Sequence, residues 1–180
     1  MWRGVAASIG ICFVVACGVN SGPPGGTKVS IPRLTFVLPA AWQQVPPISN
    51  MRAAQAVIPG PGAPAEMSVF YFGAGQGGDV NANLERWTSQ IASAPGEAPR
   101  HEAFENAGLR VAWVDVSGTF NPGPMGMGPP TPQPGSRLFG AVIEGDGGPW
   151  FFKVVGPEAT LEPQRDAFVA MLRSATPRDK

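Results

Sequence analysis

Few residues of this chain have the types and spacing that chemistry needs. Gly73-Ala74-Gly75-Gln76-Gly77-Gly78 reads G-x-G-x-x-G between an apolar stretch and a helical one, the setting of a dinucleotide-binding loop. Such a loop also needs a second, parallel strand that ends in an acidic residue about 20 residues on. The next long apolar stretch instead carries Asp115 at its centre, 37 residues past Gly78. The glycines therefore read as a flexible strand-to-helix connection, and no nucleotide partner is expected. His101 is the only histidine, and with Glu102 and Glu105 it makes H-E-x-x-E, without the second His of a zinc-protease helix. With Pro99 beside it, His101 reads as an exposed surface residue. No G-x-S-x-G is present, so a hydrolase would have to recruit His101 with partners that nothing marks. Met125-Gly126-Met127 offers two thioethers to Cu(I) but has no His or Cys nearby to complete a site. The expectation is no metal, no cofactor and no catalytic residue.

Two further groups suit binding rather than reaction. Asn83, Arg86 and Gln90 fall at i, i+3 and i+7, a polar stripe beside the apolar face of a helix. From there they either pin the helix to its surroundings or recognise a ligand. Trp42, Tyr71 and Trp113 either belong to the core or border an apolar ligand cleft. Nucleic acid is excluded as a partner, because 13 basic and 13 acidic side chains leave no basic excess to meet phosphates.

The remaining reactive group is a thiol. Met1-Trp2-Arg3 carries one positive charge, and an apolar run from Val5 to Val15 follows. As a helix these eleven residues reach about 16 Å, short of a hydrocarbon core of roughly 30 Å. They fit the core of a signal peptide instead. The run ends in Val14-Val15-Ala16-Cys17, similar to a bacterial lipobox, which implies lipid attachment at Cys17 after removal of residues 1–16. Cys12 leaves with the signal, so the mature domain has neither free thiol nor disulfide and must rest on an ordinary core. By the sorting rule of enterobacterial lipoproteins, which this resemblance brings in, Gly18 rather than Asp after the cysteine implies the outer membrane, facing the periplasm.

These groups need a scaffold, and 24 Gly with 21 Pro in 180 residues place the chain near the composition of disorder. Ten Phe and five Trp argue for a core, so the breakers must be concentrated. Residues 17–30 read as a flexible tether, and 121–136, with ten Gly and Pro, as a long disordered loop. Strands are expected at Leu34–Leu38, Ala53–Ile58, Met67–Phe72, Leu109–Thr119, Arg137–Glu144 and Trp150–Val155, the last two joined by a Gly145–Gly148 hairpin turn. Asp79 caps a helix expected to run to Ala94, its apolar face made by Val80, Leu84, Trp87 and Ile91 within about 60° of arc. A second helix is expected from Thr160 as cap, with Pro163 in its first turn and Leu161, Phe168 and Leu172 buried.

The order of these elements, with Ala82-Asn83-x-x-Arg86-Trp87-x-x-Gln90 after a Gly-Gly turn and Phe168-x-x-x-Leu172-x-Ser174 near the end, resembles a group of uncharacterised bacterial exported lipoproteins. Their plan is similar to the PsbP-like α/β sandwich. The resemblance covers Thr35 to Ser174 and implies an α+β domain, an antiparallel sheet of about six strands flanked by helices, that serves as an accessory or protein-binding module. The expected organisation is a signal peptide at 1–16, a lipid-anchored tether at 17–30 and one domain at 31–176. The leading function is non-catalytic binding of an envelope protein at the membrane. A carrier of small apolar ligands comes second and a hydrolase-type enzyme third.

Overall fold

The computed structural model describes residues 23–94, 96–122 and 131–179. The signal peptide, Cys17, the start of the tether, and Met125 and Met127 lie outside these residues. No helix among the described residues is long and apolar enough to cross a membrane.

The described residues open with a hairpin, β1 (Thr27–Ile31) and β2 (Leu34–Leu38), joined through Pro32 and Arg33. This corrects the expected tether: Thr27 to Ser30 are strand, because Val29 and Ile31 alternate onto one buried face, each 3% exposed. A short β3 (Gln43–Val45) leads to β4 (Arg52–Ile58) and β5 (Ala65–Tyr71). Asp79 then caps α1 (Val80–Thr88), its carboxylate accepting the Ala82 N–H at 2.9 Å.

The helix stops at Thr88, six residues before the expected Ala94. Ile91 stays buried, but as part of β6 (Ile91–Ala92), whose backbone pairs with Phe120 and Thr119. The apolar spacing fits either state, and the strand partner decides between them. β7 (Arg100–Asn106), β8 (Leu109–Phe120), β9 (Gln133–Glu144) and β10 (Trp150–Pro157) follow. β9 begins four residues inside the expected 121–136 loop, with Gln133 paired to Phe120. Pro134 and Gly135 sit where the ladder shifts register, so the missing proline N–H interrupts no regular rung.

The C-terminal helical segment comprises α2 (Glu158–Leu161), a 3-10 turn at Glu162–Gln164 that takes up Pro163, and α3 (Arg165–Arg173). Thr160 is not its cap. It is fully buried, with its hydroxyl 3.2 and 3.1 Å from the carbonyl oxygens of Pro61 and Ala63. β11 (Thr176–Pro177), the last described element, pairs with β2.

The architecture is α+β with two sheets. The large sheet has eight strands rather than six, in the order β3-β4-β5-β10-β9-β8-β6, with β7 also paired to β8. Its pairings are all antiparallel. The additional strands β3, β6 and β7 are polar, very short or both, so alternation does not reveal them. The small sheet is β1-β2-β11. One face of the large sheet lies under the small sheet and the C-terminal helical segment. That core holds Trp113, Trp150, Phe36, Phe139, Phe152 and Phe168 at or below 1% exposure, each stabilising the fold by about 1.5–3 kcal/mol. The other face meets α1, whose Leu84 and Trp87 pack on Val114, Val116, Leu138, Val142 and Phe151.

Candidate functional site

The site follows from what α1 leaves uncovered. Its nine residues lie over β8, β9 and β10. Among the described residues no helix packs over β4 and β5 on that side. Along β10, Trp150, Phe152 and Val154 enter the large core, so the alternate residues Phe151, Lys153 and Val155 point to the α1 side. One cation therefore stands in the middle of an apolar central strand, at the border between the covered and uncovered halves.

Lys153 Nζ donates to Gln90 Oε1 at 2.5 Å and lies 5.3 Å from the centroid of the Phe120 ring. Among the described residues no carboxylate forms an ion pair with it. Burial, and then the positive charges of Arg86 and Arg52, push its pKa down from 10.5 to about 8. The nearest carboxylate cluster is already occupied. Glu66 accepts from Arg52 Nη1 at 2.8 Å, Gln55 Nε2 at 2.9 Å and Ser68 Oγ at 3.1 Å.

The predicted stripe divides at this point. Asn83 is buried; its Nδ2 donates to the Gly77 and Asp79 carbonyls at 3.0 and 2.8 Å, and its Oδ1 accepts from Arg86 Nη2 at 2.8 Å. Asn83 thus fastens the Gly-rich connection to the helix, while Arg86 and Gln90 reach towards Lys153. The glycines have steric reasons of their own. Gly77 has φ 99°, and a Cβ there would stand 2.4 Å from the Phe151 ring. β5, which precedes this connection, has only antiparallel neighbours, β4 and β10.

Beside the cations lies apolar surface. Ile48, Met51 and Phe72 are 74%, 63% and 47% exposed. Phe72 stacks on Phe70 at 6.3 Å and tilts against Phe151 at 5.8 Å. Arg52 is in register with Phe70, which sets Met51 and Phe72 at the same end of the sheet. The Ile48 N–H donates to Gln55 Oε1 at 3.0 Å and holds its loop against that polar cluster. A positive centre with an apolar border is the complement of a carboxylate with apolar neighbours.

The other predicted residues lie elsewhere. Trp42 and Trp113 are in the large core, 4% and 1% exposed, and Tyr71 is half-buried against Trp150 with ring centroids 5.9 Å apart. Trp42 Nε1 donates to Gln164 Oε1 at 2.8 Å. None of the three lines any of the four principal surface clefts. His101 is exposed on β7 opposite Val114. Glu102 pairs with Arg165 at 2.5 Å. The described residues contain no group of three His, Cys, Asp or Glu placed to hold a metal. Sequence reasoning missed Lys153, Arg52 and the exposed apolar trio; the available signal was a lysine inside the run Trp150-Phe151-Phe152-Lys153-Val154-Val155.

No protein-family model matches this chain, and a search of curated proteins returns no significant match.

Proposed function

We propose that the protein is a non-catalytic accessory module of the bacterial envelope, anchored by lipid on Cys17, that docks an envelope protein on the uncovered half of its large sheet. One observation carries this reading: half-buried Lys153 has no carboxylate partner among the described residues, on the face where exposed Phe72 packs against Phe151. A lysine held this way meets an acidic side chain of a partner with little further ordering. The layering of α1, large sheet and C-terminal helical segment supports a PsbP-like sandwich. The lipobox-like Val14-Val15-Ala16-Cys17 and the following Gly18 support an outer-membrane position facing the periplasm.

A photo-crosslinking residue at Met51, in the full chain on intact membranes, tests the docking face, with Ala159, exposed on α2 across the sheet, as the control site. Discrete protein adducts at position 51 that disappear with Lys153→Glu are expected. Identical adducts at both positions, or none at 51, would overturn the reading. The anchor has a separate test: Cys17→Ala releases the protein from carbonate-washed membranes, and retention refutes lipidation.

A further inference from the structure

The other face of the sheet carries a second polar site, independent of the docking surface. Asp115 sits between Val114 and Val116 in β8, 3% exposed, pointing towards the C-terminal helical segment. Arg137 grips its two carboxylate oxygens through Nε and Nη2 at 2.7 Å each, a bidentate pair that raises the Arg137 pKa. Arg165 brings Nε to 3.4 Å from the same carboxylate, with its guanidinium 5.0 Å above the Trp113 ring. Arg100 is the cross-strand partner of Asp115. Two guanidiniums thus meet on one buried carboxylate, and Arg100 lines the cleft beside them.

A structural latch would need only the Asp115–Arg137 pair. These groups instead line an open cleft of about 730 Å³. Arg165 Nε is buried there without a hydrogen-bond partner, which is costly unless something else satisfies it. The helical segment adds an acidic wall to the cleft, with Glu158, Glu162 and Asp166, and Arg165, from the same segment, is also paired with Glu102. A simple anion would meet that wall and a simple cation would meet the arginines. A molecule carrying both charges satisfies the two sides together.

We propose that this cleft binds a small zwitterion, an oxyanion bearing an ammonium group, with the oxyanion on Arg100, Arg137 and Arg165 and the ammonium on Glu158, Glu162 and Asp166. Guanidinium forks suit phosphate and carboxylate equally, so phosphoethanolamine and β-alanine are the probes. Phosphoethanolamine is available free or as a lipid headgroup.

Calorimetric titration of the full chain in detergent micelles is expected to show at least one zwitterion binding ten times or more tighter than phosphate, acetate or ethanolamine alone. The Trp113 indole N–H resonance should shift with it. Glu162→Gln with Asp166→Asn, both exposed positions, should weaken the zwitterion about tenfold, the worth of one charge-assisted hydrogen bond, at unchanged melting temperature. Equal binding of phosphate alone, no binding of either probe, or no effect of the double variant would overturn the proposal. Recruitment of the Cys17→Ala chain to phosphatidylethanolamine but not phosphatidylcholine vesicles assigns the site to lipid. Binding of a free probe without recruitment assigns it to a soluble zwitterion.

Discussion

The two faces of the large sheet are built differently. One is sealed by the small sheet and the C-terminal helical segment over a core of twenty-six buried apolar residues among those described. The other is closed by a nine-residue helix over only nine such residues and then gives way to Arg52, Gln55, Glu66, Ser68 and Lys153. Apolar area drives folding in proportion to its burial, so the first face holds the fold. The second, with less to lose, can carry exposed apolar side chains and a lysine without a carboxylate partner among the described residues. Stability and the proposed protein docking are separated by the thickness of one sheet.

Four substitutions test that separation. Phe168→Ala empties the sealed side between Trp113 and Phe139, whose rings lie 5.9 and 5.2 Å from it. It should cost about 3–5 kcal/mol, read as a fall in the urea midpoint. Gly140→Ala attacks the α1 side alone, because the added Cβ would lie 2.5 Å from the Trp87 ring. A loss of about 1–3 kcal/mol with intact far-ultraviolet sheet signal is expected; a loss as large as that of Phe168→Ala would break the comparison.

Lys153→Met should stabilise the protein at pH 7 by on the order of 1 kcal/mol while abolishing the Met51 crosslink. Its advantage also has a pH signature. Between about 8 and 10.5 the unfolded lysine still holds a proton that the folded one has shed. Folding is therefore favoured increasingly as pH rises through that window. The stability rise from pH 8 to 10.5 should be smaller in Lys153→Met than in the parent, and parallel curves would remove the assigned burial. The smallest effect is expected for Asp79→Ala. The lost cap at this exposed position should cost about 0.5 kcal/mol by thermal melting, without touching the sealed side.

What the sequence revealed follows the same physical division. β2, β4, β5 and the β9–β10 hairpin were legible because apolar runs bounded by Pro and Gly are local signals. So was Asp79, whose capping bond closes within three residues. β7 was not legible: Arg100-His101-Glu102-Ala103-Phe104-Glu105-Asn106 has no apolar alternation, and β8 alone imposes its conformation. The end of α1 was misread because Ile91 is apolar for a strand partner rather than for a helix face. Asn83, Arg86 and Gln90 were found as a set, but their roles required the third dimension, since Lys153 is 63 residues from Gln90. Lys153 and Asp115 share one mark, a charge inside an apolar strand, where burial without purpose is costly.

The pairing of β11 with β2 joins Thr176 to Thr35, and Arg178 N–H donates to the Arg33 carbonyl at 3.0 Å. The sealed core also draws on both ends of the domain, from Val29 and Ile31 to Leu172 and Ala175. A chain still being synthesised cannot complete that core until Leu172, Ala175 and β11 have joined it. Long-range closure of this kind is slow. The architecture therefore makes the last step of folding the one that joins the two ends of the domain.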